Sequence, residues 1–409
     1  MKKFRLLLLC LLPVCVIQAQ SPDDLNFRYA EITLPKLMQK MEKGEKDFII
    51  LDVRTKGEYH DTLSTAKHLN IGHIKGAINI PLQDLQRKPE ALQQLDPYKD
   101  KEIYVICSQS YRSRIISKLL LEKNFKNITN VKGGMSEWYR NYDEMKPFAS
   151  SFYENKIGYK NISPSQLYNQ LKNNDPVLFI GFKNAPRNWF DSVVVSFYQH
   201  FPDLKNAEYF TSADSAAVLS KAKKASGKNI VVFNTIGMGA GEMANWLTQN
   251  GITNVHYLVG NLPGFYEYMV NYQPTEKKAK YFSSKNKIQF YSGLNLCRSL
   301  EQEKSLQLID LRHDTIFTKP TVGTKLTYHH LRGAINFPYY RSVDEFVKQF
   351  PDKNKEYVLL PHQGYVGMEL TDALLNKGYK IGWLIGGNER WEWYTNNMET
   401  FSCSNFLVQ

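Results

Sequence analysis

Cys107 is the residue whose type and position best suit nucleophilic chemistry. It follows Ile103–Ile106, an apolar run that predicts a buried parallel strand, and it precedes a helix predicted over Ile115–Lys123. A thiol at the start of such a turn faces backbone N–H groups and the positive end of the helix dipole, which stabilise a thiolate. Arg112 and Arg114 add positive charge at the rim. The pattern therefore predicts a reactive sulfur at Cys107.

The neighbouring residues also have plainer interpretations. A free cysteine is commonly a buried apolar side chain, but a strand-to-helix turn beside an arginine favours a reactive one. Asp52, Arg54 and Glu58 could all be ordinary surface charges, but Asp52 and Arg54 end another predicted strand, and we assign these two to a structural pair. The histidines show no spacing with cysteines or carboxylates that predicts a metal site.

The same order of strands and helices recurs three times along the chain, which predicts tandem domains. The matching strand ends are Asp52, Gly181 and Asp310 for one strand, and Cys107, Asn234 and Pro361 for another. The interval between them is 55 residues (52 to 107), 53 residues (181 to 234) and 51 residues (310 to 361). Strands that alternate with helices predict an α/β fold, with a parallel sheet flanked by helices on both faces in each copy.

These repeats predict three domains over residues 27–150, 160–272 and 286–400, after a signal segment at 1–19. Only the first copy has a cysteine in the critical turn. Asn234 can form hydrogen bonds but cannot attack, and Pro361 has no reactive side chain. We therefore expect one working site and two degenerate copies.

The first residues of the chain have the pattern of a secretory signal peptide. Cations precede the apolar run Leu6–Ile17, and Ala19 is a small residue suited to a cleavage site. The run is too short for a spanning helix, which needs about 20 apolar residues. Lipidation at Cys15 is the alternative, but Val14 is bulky where a lipoprotein site has a small residue. We expect a periplasmic or secreted protein without a membrane span.

Composition narrows the remaining function classes. The formal net charge is +12, but no basic stripe interleaves with aromatic residues, which argues against nucleic acid as a partner. Cys297 and Cys403 could pair in an oxidising compartment or remain two buried thiols, and the sequence leaves both open. The stretch Ile236–Gly241 lies where a dinucleotide loop would, but no acidic residue closes the next strand, so we expect no cofactor.

Four motifs together resemble the rhodanese family of sulfurtransferases. They are Leu51–Tyr59 (its Asp, Arg and Glu), Gly72–Pro81, the active-site loop Cys107–Ser113 and the closing signature Gly133–Trp138. Ser110 stands where the family loop commonly has glycine, which matters if that position needs a positive φ. Compared with the family pattern, extra residues around His60–Ile71 separate Tyr59 from Gly72, and this insertion could cover the pocket.

The resemblance implies a persulfide mechanism. The Cys107 thiolate would attack the outer sulfur of a small anionic donor such as thiosulfate, and cyanide or a thiol, including one on a protein, would accept that sulfur. Arg112 would attract the donor, while Asp52 and Arg54 would brace the loop. The implied substrate-binding groups are the loop residues, whose backbone N–H groups would hold the persulfide charge: Ser108, Gln109, Ser110, Tyr111, Arg112 and Ser113.

Two other classes remain open. Cysteine phosphatases have one residue more between the cysteine and the arginine than the four found here, so this loop suits a sulfur atom better than a phosphate. A binding or scaffold protein in which Cys107 senses oxidation would explain why the other two copies have lost the nucleophile.

Overall fold

The computed structural model describes residues 29–63, 70–140, 142–183, 197, 199–225, 227–235, 239–302, 304–318, 330–362, 364, 366–397 and 401–408. The predicted signal segment, residues 236–238 of the Gly-rich stretch and residues 64–69 of the insertion lie outside this description. In the described part, no helix is both long and apolar enough to cross a membrane.

The strands, in chain order, are β1 (Ala30–Thr33), β2 (Phe48–Asp52), β3 (His73–Ile74), β4 (Ile78–Asn79), β5 (Glu102–Ile106), β6 (Asn127–Lys132), β7 (Tyr153–Glu154), β8 (Lys160–Ile162), β9 (Val177–Phe182), β10 (Asp203–Leu204), β11 (Ala207–Phe210), β12 (Asn229–Asn234), β13 (Val255–Leu258), β14 (Phe282–Ser283), β15 (Gln289–Tyr291), β16 (Leu306–Asp310), β17 (His330–Leu331), β18 (Ile335–Asn336), β19 (Glu356–Leu360), β20 (Lys380–Leu384) and β21 (Leu407–Val408).

The α-helices, in chain order, are α1 (Leu34–Glu42), α2 (Lys56–Tyr59), α3 (Leu82–Arg87), α4 (Pro89–Gln93), α5 (Tyr111–Glu122), α6 (Glu137–Arg140), α7 (Tyr142–Met145), α8 (Ala149–Phe152), α9 (Pro164–Lys172), α10 (Ser215–Lys224), α11 (Ala240–Gln249), α12 (Asn261–Tyr272), α13 (Gly293–Glu301), α14 (Asp314–Thr318), α15 (Val343–Gln349), α16 (Met368–Asn376) and α17 (Gly387–Asn397).

Three five-stranded sheets have the same strand order. The first is β1-β6-β5-β2-β4, the second is β8-β13-β12-β9-β11 and the third is β15-β20-β19-β16-β18. All strand pairs within these sheets are parallel. The predicted α/β fold is therefore confirmed, and it occurs three times. We call each sheet with its packed helices the first, second or third unit.

Both faces of the first sheet are buried. Successive side chains of a strand point to opposite faces, and those of β5 enter two different apolar clusters. Tyr104 and Ile106 of β5 pack with residues of α1 in one apolar cluster. Ile103 and Val105 of the same strand pack with residues of α3 and α5 in another. A strand covered on both sides needs apolar residues at every position, which is the pattern that the sequence shows.

Two predicted helix boundaries were wrong. Helix α5 begins at Tyr111 rather than at Ile115, so the turn after β5 is shorter than expected. The sequence of Leu85–Leu95 also predicts one continuous helix. The structure instead divides this part of the chain into α3 and α4 at Lys88, whose φ and ψ are −119° and 106°. Lys88 precedes Pro89, and the proline ring disfavours the helical conformation for the residue before it.

One aromatic core joins the second and third units. Phe201 belongs to the second unit and Phe290 to the third, and their ring centroids are 5.0 Å apart in this core. An ion pair between Glu267 and Arg390, with a closest distance of 2.8 Å, also links the two units. Among the residues that the structure describes, the apolar clusters of the first unit contain none from the other two. The second and third units are therefore packed together more intimately than either is with the first.

Cys297 and Cys403 form a disulfide bond that ties the C-terminal segment to helix α13. Both residues are fully buried. Of the two alternatives that the sequence leaves open, the structure therefore adopts the pair. Cys107 is the free cysteine of the part of the chain that the structure describes.

Candidate active site

Cys107 directly follows β5, the central strand of the first sheet. Strands β2 and β6 run parallel to β5 on either side, so the carboxyl ends of all three meet at one edge. The residue is 1% exposed and packs in the apolar cluster that contains Val53 and Ile116. A buried free thiol thus lies at the edge of the sheet where parallel α/β folds bind their ligands.

The loop after Cys107 depends on an unusual backbone conformation at Ser110. This residue has a φ of 72° and a ψ of −22°, in the left-handed region that favours glycine. Its hydroxyl donates to the Val131 carbonyl at 3.2 Å, and its own carbonyl accepts a bond from the Arg114 amide at 3.0 Å. These hydrogen bonds offset part of the cost of the left-handed conformation. The position does need a positive φ, and serine supplies it.

The backbone amides around this loop are open to a ligand. Within the described residues, the N–H groups of Ser108, Ser110, Tyr111, Arg112 and Ser113 donate to no protein acceptor. The first turn of a helix leaves such groups without intrahelical partners, and the helix dipole adds positive potential there. The loop and the start of α5 therefore form a cradle suited to a small negative charge.

A glycine segment crosses directly over the loop backbone. A β-carbon on Gly134 would lie 2.3 Å from the Cys107 carbonyl oxygen, a distance that no real side chain tolerates. The next two amides donate to the loop, from Met135 to the Cys107 carbonyl at 2.8 Å and from Ser136 to the Ser108 carbonyl at 3.0 Å. The closing signature thus fixes the first two carbonyls of the loop.

Glu58 forms an ion pair with Arg112, the residue that the family resemblance assigns to donor binding. Arg112 donates from Nη1 to Glu58 Oε2 at 2.7 Å and from Nη2 to Oε1 at 2.6 Å. The Ser108 hydroxyl also donates to Glu58 Oε1, at 2.9 Å. Burial alone would raise the pKa of Glu58, but the hydrogen bonds and charge of Arg112 outweigh it and lower that pKa to about 2. Glu58 is therefore a carboxylate, and the interpretation of it as an ordinary surface charge is wrong because it is 2% exposed.

Asp52 and Arg54 form a second ion pair beside the site. Both side chains are fully buried, and Arg54 Nη2 lies 2.7 Å from Asp52 Oδ2. The remaining donors of Arg54 reach the carbonyls of Gly72 at 2.8 Å and of Glu58 at 3.5 Å. Burial would lower the pKa of Arg54, but the attraction of Asp52 raises it above its ordinary value. The pair holds the backbone of α2, and therefore Glu58, against the sheet.

A polar chain supports the start of α5 from behind. The Ser113 hydroxyl donates to Asn130 Oδ1 at 2.6 Å, and Asn130 Nδ2 donates to Glu31 Oε1 at 2.9 Å. Asn130 is fully buried in the middle of β6. Arg114, which the sequence places at the rim, lies 3.6 Å from Glu31 instead of facing the loop. The remaining loop side chains, Gln109 and Tyr111, are exposed at the rim.

The equivalent loops of the other units lack the thiol, although the third keeps the backbone contact described above. In the second unit, Asn234 Oδ1 accepts from the Ala240 amide at 2.7 Å, so the side chain at the cysteine position occupies a loop amide itself. In the third unit, Pro361 replaces the cysteine, and Asn388 donates to its carbonyl at 2.8 Å. The buried pair Asp310–Arg312, at 2.6 Å, repeats the pair Asp52–Arg54.

Sequence reasoning finds the loop residues but misses three of the residues that hold them. It treats Glu58 as a possible surface charge and gives no role to Asn130 or to the close approach of Gly134. A local pattern could have indicated a role for Glu58, because Thr55 and Glu58 have the spacing of a helix capping box. Both hydrogen bonds of that capping box form in the structure. The contact between Glu58 and Arg112 joins residues that are 54 positions apart, so no local pattern reports it.

The Rhodanese-like domain family matches residues 33–141 and 295–392, about half of the chain. The second unit lies between these two segments.

Several curated proteins match parts of the chain. The adenylyltransferase and sulfurtransferase UBA4 of Meyerozyma guilliermondii is 30% identical over 105 residues, which cover 25% of this chain and 22% of that protein. YrkF of Bacillus subtilis, described as a sulfur carrier protein, is 32% identical over 108 residues, 26% of this chain and 50% of that protein. The tRNA uridine(34) hydroxylase of Pectobacterium carotovorum is 29% identical over 127 residues, 30% of this chain and 33% of that protein. The chain thus spans half or less of the length of these relatives.

Solved structures match as well. A complex of EanB with hercynine covers 91% of this chain and 97% of its own, at 15% identity and a TM-score of 0.26. The rhodanese-like domain of an Anabaena protein, solved by NMR, covers 28% of this chain and 76% of its own, at 28% identity and a TM-score of 0.23. On the two matched segments, and on the parallel sheet that each of them contains, this chain belongs to the rhodanese-like domain family.

Proposed function

We propose that the protein is a sulfurtransferase that carries sulfur as a persulfide on Cys107. One observation carries this proposal: a free thiol at the centre of the carboxyl edge begins a loop in which the amides of Ser108 and Ser110 have no acceptor in the described part of the protein. Membership of the rhodanese-like family and the resemblance to a sulfurtransferase support the same chemistry.

The proposed reaction has two displacement steps. The Cys107 thiolate attacks the outer sulfur of a donor, the donor's S–S bond breaks, and its electron pair leaves with the remaining fragment. With thiosulfate as the donor, the enzyme gains one sulfur and sulfite departs. A thiol or cyanide then attacks the outer sulfur of the persulfide and regenerates the thiolate. The loop amides stabilise the negative charge on the outer sulfur in the intermediate.

The two degenerate units have a structural role in this proposal. Asn234 uses its own side chain to satisfy a loop amide, and Pro361 cannot act as a nucleophile. A scaffold role for these two units is thus compatible with catalysis in the first. The phosphatase alternative finds no support at Arg112, because Glu58 already holds the guanidinium that a phosphate would need.

Export is a separate part of the proposal. It is supported by the signal-like pattern over residues 1–19 and by the disulfide between Cys297 and Cys403, since disulfides form and persist in oxidising compartments. Sequencing the N-terminus of the mature protein from its native host tests this point, and we expect Gln20 as the first residue.

Intact-mass measurement tests the proposed chemistry. The purified protein, incubated with a panel of sulfane-sulfur donors and desalted, should gain the mass of one sulfur atom, and cyanide should remove it. Cys107→Ser is the control, and it should gain nothing. Sulfur addition to the serine variant, or no addition to the wild type with any donor, would reject the assignment.

A further inference from the structure

We infer that Glu58 determines which donor the site prefers. By neutralising Arg112, it favours a neutral or singly charged organic persulfide over doubly charged thiosulfate. This inference rests on the proposed sulfur transfer at Cys107, and it concerns only which donor supplies the sulfur. The observations that carry it are the ion pairs around the loop.

Arg112 is the only charged side chain between Cys107 and Ser113. Its two terminal nitrogens both donate to Glu58, at 2.7 and 2.6 Å, and one of them also donates to the Ser108 hydroxyl at 2.8 Å. Such a bidentate pair is strong and fixed in direction. The net charge that Arg112 and Glu58 together present to a ligand is therefore close to zero.

Glu58 is also held so that it cannot release the arginine easily. Its Oε2 accepts from the Thr55 amide at 3.0 Å and from the Thr55 hydroxyl at 2.9 Å, which closes the capping box of α2. Its side chain is only 3% exposed. A donor that claimed Arg112 would leave this buried carboxylate without its charge partner, which is costly.

Three other cations of this edge, which are Arg54, Arg114 and Lys132, are also paired. Arg54 is fully buried against Asp52. Arg114 and Lys132 both contact Glu31, at 3.6 and 3.1 Å. A thiosulfate dianion would therefore find Arg54, Arg112 and Arg114 already paired, and the negative charge of Glu58 would repel it. The loop amides alone suit a single charge on one sulfur atom.

The rim is compatible with an organic donor. Gln109 and Tyr111 are uncharged, and Tyr111 is 46% exposed, so its ring offers an apolar surface beside the loop. In the inferred step the Cys107 thiolate attacks the outer sulfur of R–S–SH, and the S–S bond of the donor breaks. The products are the Cys107 persulfide and R–S⁻, so atoms and electrons balance without another oxidant or reductant.

The test compares the two donors on the full-length protein. Rates of sulfur loading onto Cys107 are measured with thiosulfate and with cysteine persulfide, whose net charge is −1 when its persulfide group is ionised, by intact mass after quenching. We expect the wild type to load faster from the persulfide, by about tenfold or more in kcat/KM. Faster loading from thiosulfate would overturn the inference, whether or not any variant folds.

The variant Glu58→Gln then asks whether Glu58 is the cause. It keeps the shape of the side chain but removes the charge that neutralises Arg112, so thiosulfate loading should rise by about tenfold relative to persulfide loading. Asp84→Asn is the matched control, since it removes one carboxylate charge from a surface pair with Lys88 in the same unit. It should leave the donor ratio unchanged.

The remaining outcomes are distinct from one another. If Glu58→Gln changes both donors by the same factor, Glu58 only supports the loop and the inference is wrong. If neither donor loads Cys107 in the wild type, the proposed function itself fails, and this inference fails with it.

Discussion

Gly134 lies so close to Cys107 that a β-carbon on it would be 2.3 Å from the Cys107 carbonyl oxygen. Its φ of 59° is also one that side chains rarely adopt. The contact brings the segment after β6 directly onto the backbone of the reactive residue.

Gly134→Ala should therefore displace the loop and slow sulfur loading strongly, with a loss of stability of about 1–3 kcal/mol from overpacking. Gly76→Ala is a matched control, because Gly76 also has a positive φ, 77°, but a β-carbon there would have nothing within 4 Å. Both should lose stability from the backbone strain, and only Gly134→Ala should lose activity. Equal activity in the two variants, measured by sulfur loading, would contradict the structure of the loop.

Ser110 holds a left-handed conformation that glycine adopts without strain. Ser110→Gly and Ser110→Ala both remove the hydroxyl that donates to Val131. Comparing their stabilities therefore isolates the cost of the left-handed backbone conformation at residue 110. The glycine variant should be more stable than the alanine variant by about 1 kcal/mol, as measured by chemical denaturation. A more stable alanine variant would mean that the φ of residue 110 is not positive in solution.

The ion pair of Glu58 makes stability depend on pH. The folded state lowers the pKa of Glu58 from its ordinary 4.5 to about 2. A depressed carboxyl pKa stabilises the fold above the unfolded value and loses that contribution as pH falls through the folded value. Denaturation of the wild type should therefore become easier as the pH falls from 4.5 towards 2. Glu58→Gln should show a shallower loss over this window, and identical profiles would argue against the pair.

The second and third units should unfold as one body, because they share an aromatic core. Phe290 is 1% exposed, and its ring centroid lies 5.0 Å from that of Phe201 and 6.2 Å from that of Tyr266. Phe290→Ala should destabilise both units, by about 3–5 kcal/mol. Hydrogen exchange should then accelerate in β12 as well as in β19, while β5 of the first unit keeps its protection. Acceleration confined to the third unit would show that the core does not couple them.

The disulfide closes a loop of 106 residues, so its loss should raise the entropy of the unfolded chain. Reduction should lower the stability of the third unit by about 2–4 kcal/mol. The double variant Cys297→Ala with Cys403→Ala should be insensitive to the reductant, whereas Cys107→Ser should respond as the wild type does. An unchanged melting temperature on reduction would indicate that the bond is absent in solution.

Much of the fold follows from local patterns in the sequence. The apolar strands and the recurrence of strand ends at nearly constant intervals reflect constraints of backbone and burial, whereas the positive φ at residue 110 was suggested only by the family resemblance. They identify three copies of one α/β arrangement and a single cysteine at the turn after the central strand. The divided helix at Lys88 was also locally encoded, by Pro89, although the expected continuous helix overlooked it.

The tertiary structure alone decides how the site is charged. Glu58 and Arg112 are 54 residues apart, and they meet because β2 and β5 are parallel neighbours whose carboxyl ends share one edge. The pairing of Cys297 with Cys403, and the packing of Phe201 on Phe290, likewise join distant segments. A sequence pattern reports what each residue is and what its near neighbours require, but charge neutralisation depends on which distant side chain arrives, and only folding brings it there.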